Sequence, residues 1–336
     1  MKAVRVNEKF DMEIVDICEP VIENDDEVKI KVKATGICGS DIGIFNGTNP
    51  MVTYPRIIGH EMSGEVVDVG ESISHVKKGD RVVVDPVTES GMSPEAIIGR
   101  SNVSNDLKVR GVHLDGFMQE YIISKKDRVY KLEGLDYNTM ALIEPFTIGA
   151  NANWRAETSP RDNVFVNGAG TIGQTVLRTA ILRGARVYVS DIDQEKLEIA
   201  SDMGAYETID MSGKDTVKEA LKANPYGYDV VIDCVCSTDS FSDCIQITAP
   251  AARVISLGFS NDFSKIKQKW ITSKELDIRG SRLSNKKFSE VIRAIEDKRI
   301  NTEKIITHTY PIEKVKDAFE LSLDGSRKSG KILITF

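Results

Sequence analysis

The pattern of hydrophobic and polar positions divides the chain into two kinds of sequence. In residues 1–150, short strand-like runs are separated by glycine, proline, asparagine and aspartate. The runs read MKAVRVNEKF, EVKIKVKATGI, GEVVDVG, DRVVVDP and EYIISKK. Such runs at short intervals are typical of an antiparallel barrel or sandwich.

The pattern changes where short apolar runs begin to alternate with helical segments. The runs are NVFVN at 163–167, RVYVSD at 186–191, DVVIDCV at 229–235 and RVISLGF at 253–259. Their continuous apolarity predicts strands that are buried on both faces. Between the first two runs, Ile172, Val176, Leu177, Ala180 and Ile181 fall on one helical face. Strand, helix and strand within about 30 residues form a βαβ unit, so the middle of the chain predicts a doubly wound parallel sheet.

The last part of the chain is too short for a domain of its own. It contains an amphipathic helix in FSEVIRAIEDKRI, a second helix and a final strand in GKILITF. We therefore predict an α/β protein with two domains. The first consists of residues 1–150 and 285–336, and the second of residues 151–284.

The composition argues against two classes of binding partner, nucleic acids and membranes. The net charge of −7 and the pI of about 5.4 argue against a nucleic acid held by phosphate contacts, and they give no attraction to anionic membranes. No apolar run approaches the roughly 20 residues of a membrane span, and the amino terminus lacks the apolar core of a secretion signal. Five irregularly spaced cysteines do not indicate a disulfide framework. We expect a cytoplasmic protein without nucleic-acid or membrane partners.

The stretch VNGAGTIG predicts a dinucleotide site. Its three glycines have G-x-G-x-x-G spacing, a strand precedes them, and a helix follows them. Asp191 ends the next strand, 18 residues after Gly173. A carboxylate there accepts a hydrogen bond from a ribose 2′-hydroxyl and repels a 2′-phosphate, which favours NAD over NADP. The alternative is a doubly wound domain without a nucleotide. The predicted cofactor contacts are Gly168, Gly170, Thr171, Ile172, Gly173 and Asp191.

Four residues of the first domain are suitable zinc ligands. Cys38 lies in GICGSD, His60 and Glu61 in GHE, and Glu144 in IEPF. Three protein ligands with one open position form the usual catalytic arrangement. Taken singly, Cys38 could be a core thiol and Glu144 a turn residue before proline, so spacing alone leaves zinc undecided.

Six segments resemble, in order, the zinc-dependent medium-chain dehydrogenase/reductase family, in its polyol and sugar-acid branch. They are GICGSD, YPRIIGHEMSGEVVDVG, GDRVVVDP, IEPF, GAGTIG and GKILITF. DPVTESG, GVHLDG and GSRLSNKKF further resemble L-galactonate and L-gulonate 5-dehydrogenase-type proteins. The resemblance implies a GroES-like catalytic domain joined to a Rossmann domain. It also implies an enzyme that transfers hydride between NAD and a secondary alcohol.

The resemblance also implies roles for the site residues. Cys38 and His60 would bind the catalytic zinc together with a glutamate, either Glu61 or Glu144, and these two could also move protons. Zinc would lower the pKa of the substrate hydroxyl. Ser40 matches the hydroxyl that starts the family's proton relay. The relay usually continues through a histidine three residues later, where this chain has Gly43, so the proton must leave through water or the glutamates.

A second zinc is expected to be absent. The family often binds a structural zinc through C-x2-C-x2-C-x7-C, and the matching positions here are Ser90, Ser93, Ala96 and Ser104. None of them offers a thiolate. The resemblance therefore predicts one zinc, the catalytic one, with NAD as the other cofactor.

Two residues are predicted to touch a small-molecule substrate. His113 lies in GVHLDG, which the resemblance places near the zinc cleft. Arg282 follows the last Rossmann strand, where its fork would fit a carboxylate, although a surface salt bridge is an equal alternative. The substrate is expected to be a sugar acid or a polyol, and the enzyme a homodimer or homotetramer. The other interpretations are a dehydrogenase of a neutral polyol or of a threonine-type amino alcohol, or a non-catalytic NAD-binding protein.

Overall fold

The computed structural model describes residues 1–324 and 330–336 and divides the chain into two units. Unit 1 comprises Met1–Glu144, Phe288–Glu296 and Thr302–Phe336, and unit 2 comprises Pro145–Lys287 and Asp297–Asn301. The boundaries predicted after residues 150 and 284 therefore differ from those of the structure by six and three residues. In addition, the short stretch 297–301 belongs to unit 2.

Strands are distributed along the whole chain. They are β1 (Lys2–Glu8), β2 (Asp11–Asp16), β3 (Glu27–Ile37), β4 (Arg56–Ile57), β5 (Glu61–Val69), β6 (Arg81–Val84), β7 (Val87–Thr88), β8 (Lys108–Val109), β9 (Tyr121–Lys125), β10 (Val129–Leu132), β11 (Asn163–Asn167), β12 (Arg186–Asp191), β13 (Glu207–Asp210), β14 (Tyr228–Asp233), β15 (Thr248–Ser256), β16 (Asp277–Gly280), β17 (Ile306–Pro311) and β18 (Lys331–Thr335).

The helices are mostly short, and the longest, with 13 residues, begins at Ile143. They are α1 (Gly39–Phe45), α2 (Pro94–Ile97), α3 (Tyr137–Met140), α4 (Ile143–Arg155), α5 (Thr171–Leu182), α6 (Gln194–Asp202), α7 (Thr216–Ala223), α8 (Thr238–Gln246), α9 (Gln268–Thr272), α10 (Phe288–Glu296) and α11 (Val315–Leu323). No helix in the described parts of the chain is long and apolar enough to cross a membrane.

Unit 1 is β-rich, as predicted. Its largest sheet has the order β10-β6-β5-β3-β18-β17, with β9 also paired to β3. In β3, alternate residues Val28, Ile30 and Val32 are fully buried, which is the periodicity of a strand with one face on a core. The final strand β18 pairs antiparallel with β3, with Ile332 opposite Ile37. The last two strands, β17 and β18, thus join a sheet whose other strands come from residues 27–132.

Unit 2 is a parallel sheet of order β13-β12-β11-β14-β15-β16. This is the doubly wound order 3-2-1-4-5-6, in which ligands bind beyond the carboxyl ends of the central strands. All four apolar runs predicted as strands are strands. The two edge strands, β13 and β16, were not predicted, because each has only four residues and is half-exposed or exposed along most of its length.

Candidate metal centre and dinucleotide site

Strand pairing brings Cys38, His60 and Glu61 together. Cys38 follows β3, and His60 immediately precedes β5, whose first residue, Glu61, lies opposite Gly36 in β3. One ligand atom of each of the three residues lies within 4.8 Å of the others. Gly36 makes this approach possible, because a Cβ atom at that position would overlap the Glu61 carboxylate. Over the described residues, this is the one group of three or more His, Cys, Asp or Glu side chains placed to hold a metal ion.

Asp41, in α1, contacts the backbone of Cys38 and lies close to the imidazole of His60. It is fully buried, and its carboxylate accepts hydrogen bonds from the backbone N–H of Cys38 at 2.9 Å and of Gly59 at 3.0 Å. Its Oδ1 lies 3.7 Å from Nδ1 of His60, and burial raises the pKa of Asp41. The aspartate therefore fixes the backbone on either side of the cluster and faces the imidazole with an acceptor.

The donor chemistry fits zinc. A thiol, an imidazole and a carboxylate are the three ligand types that zinc takes, and three protein ligands leave a position for substrate. Nδ1 of His60 is buried and has no hydrogen-bond partner among the described residues. Burial alone would lower the pKa of His60, but the nearby Asp41, Cys38 and Glu144 raise it well above its ordinary value. This environment favours a cation among these side chains.

A lysine that the sequence did not single out lies against the cluster. Nζ of Lys331, at the start of β18, is 2.7 Å from both carboxylate oxygens of Glu61 and 3.0 Å from the carbonyl oxygen of Ile37. Lys331 is 3% exposed and Glu61 is 1% exposed, so this is a buried ion pair. Glu61 is therefore both a member of this candidate metal group and the counterion of Lys331.

Glu144 lies in the first turn of α4, so the alternative interpretation of a turn residue before proline does not hold. A proline in the first helical turn loses no intrahelical hydrogen bond, so Pro145 does not end the helix. The carboxylate does not lie within 4.8 Å of all three members of the group. It is nevertheless buried, and burial raises the pKa of Glu144 to about 8, while His60 acts in the opposite direction. Both glutamates thus remain candidates for the third ligand.

Ser40 lies next to His60, and the loop that carries His113 packs on the segment before His60. Oγ of Ser40 is 3.4 Å from Nε2 of His60. The loop carrying His113 packs on the segment before His60, because N–H of Phe117 donates to the carbonyl of Gly59 at 2.9 Å. Nδ1 of His113 accepts a hydrogen bond from the backbone of Val109 at 3.0 Å, which orients the ring.

The four positions expected to match the cysteines of a structural zinc site form a small lobe around α2. Oγ of Ser93 lies 2.8 Å from Oγ of Ser104 and also accepts a hydrogen bond from N–H of Ala96 at 3.1 Å. The backbone of Ser90 donates to Asp106 at 2.9 Å. All four positions thus take part in hydrogen bonds within the lobe, through neutral side chains or the backbone.

The glycine-rich loop of unit 2 has the conformation that its sequence predicts. Gly168 follows β11 with φ +100°, in the left-handed region that favours glycine. Gly170 is the N-cap of α5, and a Cβ atom there would meet open space. Gly173 faces the carbonyl oxygen of Gly168, which a Cβ atom would overlap. Thr171 and Ile172 form the first turn of α5, so the open side of the loop lies at a helix N-terminus suited to phosphate.

Asp191 lies at the end of β12 beside this loop. Its carboxylate accepts hydrogen bonds from N–H of Ala169 at 2.7 Å and from N–H of Asp193 at 2.9 Å, through different oxygens. Each carboxylate oxygen can accept a second hydrogen bond. The aspartate therefore holds the loop and keeps acceptor capacity at its edge.

Arg282 lies just beyond β16, at the carboxyl end of the parallel sheet. Its guanidinium is 5.6 Å from the ring of Phe259, which follows β15 and is 66% exposed. Two lysines follow it in the chain: Lys286 is exposed, and Lys287 lies over the ring of Trp154 at 5.0 Å.

Comparison with known proteins agrees with this architecture. Residues 24–134 match the alcohol dehydrogenase GroES-like domain, and residues 171–297 match the zinc-binding dehydrogenase domain. The starvation-sensing protein RspB of Escherichia coli K12 is 38% identical, covering 92% of each chain. L-galactonate-5-dehydrogenase of the same organism is 31% identical, covering 94% of this chain and 93% of its own. The crystal structure of the alcohol dehydrogenase rspB of E. coli CFT073 with NADH superposes with a TM-score of 0.94 at 36% identity, covering 100% of this chain and 99% of the other.

A GroES-like unit with a thiol, imidazole and carboxylate cluster, followed by a dinucleotide-binding sheet, defines a metal-dependent dehydrogenase. The chain belongs to the zinc-type medium-chain alcohol and polyol dehydrogenase family.

Proposed function

We propose that this enzyme uses NAD to oxidise a secondary alcohol of a sugar acid reversibly, with one zinc ion per chain. The observation that carries the proposal is the convergence of Cys38, His60 and Glu61 within 4.8 Å in a family of zinc-type dehydrogenases. When bound, zinc supplies the Lewis acidity that lowers the pKa of a substrate hydroxyl.

The protein's own residues have distinct parts in this proposal. Cys38 and His60 hold the metal with Glu61 or Glu144, and Asp41 orients His60. Ser40, 3.4 Å from Nε2 of His60, is the first acceptor of the substrate's proton. Because Gly43 has no side chain, the proton leaves the site through water or a glutamate.

The dinucleotide is proposed to bind at the glycine loop. Gly168, Gly170, Thr171, Ile172 and Gly173 would cradle the pyrophosphate. Asp191 would accept a ribose hydroxyl with its remaining lone pairs, and a 2′-phosphate would meet like charge there. These contacts support NAD as the preferred cofactor.

The lobe is proposed to hold no zinc. Neutral hydroxyl and methyl groups at Ser90, Ser93, Ala96 and Ser104 are not zinc ligands. The hydrogen bond between Ser93 and Ser104 stabilises the lobe less than a zinc ion bound by four thiolates would. The lobe should therefore open more readily than a zinc-bound one.

The proposal of a sugar acid rests on Arg282 and on the similarity to an L-galactonate-5-dehydrogenase. We propose that the guanidinium binds the substrate carboxylate and that His113 contacts the substrate as well. A charge-assisted hydrogen bond contributes about 1.5–3 kcal/mol, which corresponds to roughly ten- to a hundred-fold in binding.

Steady-state kinetics on an aldonate and the matching neutral alditol tests this choice. The wild type should favour the aldonate, and Arg282→Ala should raise KM for the aldonate far more than KM for the alditol. Arg279→Ala is the matched control, since Arg279 is paired with Glu157 and Asp277 at 2.7 and 2.9 Å. Equal kcat/KM for both compounds, unchanged by Arg282→Ala, would instead favour a neutral polyol.

A further inference from the structure

The segment that carries Arg282 has an unusual backbone. Within residues 281–287, Leu283, Asn285 and Lys286 have φ values of +53°, +40° and +61°. Residues with a Cβ atom rarely adopt this left-handed conformation, and a leucine does so least readily of the three. Such a conformation persists only where the surroundings hold it, and it is concentrated at functional sites.

The side chain of Asn151 makes several of the contacts that stabilise this conformation. It is fully buried in α4, and its Nδ2 lies 3.2 Å from Oγ of Ser281, 3.1 Å from the carbonyl of Arg282 and 2.8 Å from the carbonyl of Leu283. Its Oδ1 has no hydrogen-bond partner among residues that the structure describes. The amide nitrogen therefore makes all the described hydrogen bonds of this side chain, and their acceptors belong to Ser281, Arg282 and Leu283.

A second asparagine on the same helix also donates hydrogen bonds through its side-chain amide, but to different acceptors. Asn153 is also fully buried, and its Nδ2 donates to the carbonyls of Gly149 and Val176 and to Oγ1 of Thr179, at 2.9–3.1 Å. These acceptors belong to α4 and α5. Asn153 thus stabilises the packing of two helices, whereas Asn151 holds the 281–287 segment.

We propose that Asn151 is a positioning residue that keeps the 281–287 segment in its strained conformation and thereby sets the preference for a carboxylate-bearing substrate through Arg282. The substrate part of this inference rests on the proposed function. Without the amide, Ser281 and two carbonyls lose their donor, and the backbone at Leu283 relaxes toward a common conformation. Arg282 then loses its fixed position, while contacts to a neutral alditol are unaffected.

The test compares Asn151→Ala with Asn153→Ala by amide hydrogen exchange and by kinetics. Exchange across residues 281–287 should become faster in Asn151→Ala and stay close to wild type in Asn153→Ala, although both lower Tm. The ratio of kcat/KM for aldonate over alditol should fall about ten-fold in Asn151→Ala, the lower end of the effect of losing the Arg282 contact. In Asn153→Ala that ratio should be unchanged. Asn151→Ser, which keeps a short donor, replaces Asn151→Ala if the latter does not fold, and it should give smaller changes in the same direction.

The outcomes separate this inference from the proposed function. Unchanged protection of the segment in Asn151→Ala overturns the positioning role, whatever Arg282→Ala does. A ratio that falls in Arg282→Ala but not in Asn151→Ala overturns the link to substrate choice and leaves the proposed function intact. If Arg282→Ala itself has no effect, the sugar-acid assignment fails together with the substrate part, and hydrogen exchange alone decides whether Asn151 holds the segment.

Discussion

Replacing Lys331 with methionine should destabilise unit 1 strongly. The side chain has a similar length but no charge, so the substitution leaves the Glu61 carboxylate, 1% exposed, without its cation. The carbonyl of Ile37 also loses a donor at 3.0 Å. Breaking a buried ion pair by removing one partner costs about 3–5 kcal/mol, because the other charge stays desolvated.

An exposed lysine provides the matched control. Lys125 is 2.7 Å from Asp26, the same distance that separates Lys331 from Glu61, but the two side chains are 47% and 42% exposed. An exposed pair contributes about 0–1 kcal/mol. The structure therefore predicts a difference of several kcal/mol between Lys331→Met and Lys125→Met at equal ion-pair distance.

Urea unfolding of metal-free protein followed by circular dichroism measures this difference. Fluorescence is unsuitable, because both tryptophans, Trp154 and Trp270, lie in unit 2. The double variant Lys331→Met/Glu61→Gln should recover much of the lost stability, since no charge is then left unpaired. A loss in Lys331→Met as small as that in Lys125→Met would refute the reasoning that Glu61 depends on Lys331.

Three further predictions concern the cofactor site and the lobe. Gly170→Ala should fold normally, because its Cβ meets open space, yet it should bind NADH much more weakly in a fluorescence titration. Gly173→Ala should also lower Tm, because its Cβ overlaps the carbonyl oxygen of Gly168. Equal Tm values for the two variants would contradict this prediction. Asp191→Ala should reduce the ratio of kcat/KM for NAD over NADP, and a wild type that turns over NADP equally well would rule out the role of this carboxylate. Ser93→Ala removes the N-cap of α2 and the hydrogen bond to Ser104. The substitution should lower the free energy of unfolding by about 1 kcal/mol and speed proteolysis within residues 90–106, while the zinc content stays unchanged. A loss of zinc in this variant would show that the lobe binds metal.

Much of the fold could be predicted because the relevant signals are local. The four interior strands of unit 2 are continuous apolar runs, and the glycine loop lies where a strand meets a helix. The edge strands β13 and β16 carry no such signal. The first unit boundary lies six residues before the predicted one, inside α4, which runs unbroken from Ile143 to Arg155 and contributes Glu144 to one unit and Asn151 to the other.

The parts of the site that could not be predicted depend on long-range pairing. Lys331 reaches Glu61 because β18 pairs with β3 across nearly the whole length of the chain. In the sequence it is a lysine at the head of a strand, which usually faces solvent. Asn151 reaches the backbone beside Arg282 over 131 residues of sequence, and no local pattern marks it as different from Asn153.

The zinc content of pure wild-type protein and of Cys38→Ser, measured side by side by elemental analysis, tests the central claim most directly. We predict one zinc per chain in the wild type and essentially none in Cys38→Ser, which should still bind NADH. Two zinc ions per chain in the wild type, or an undiminished zinc content in Cys38→Ser, would contradict the account.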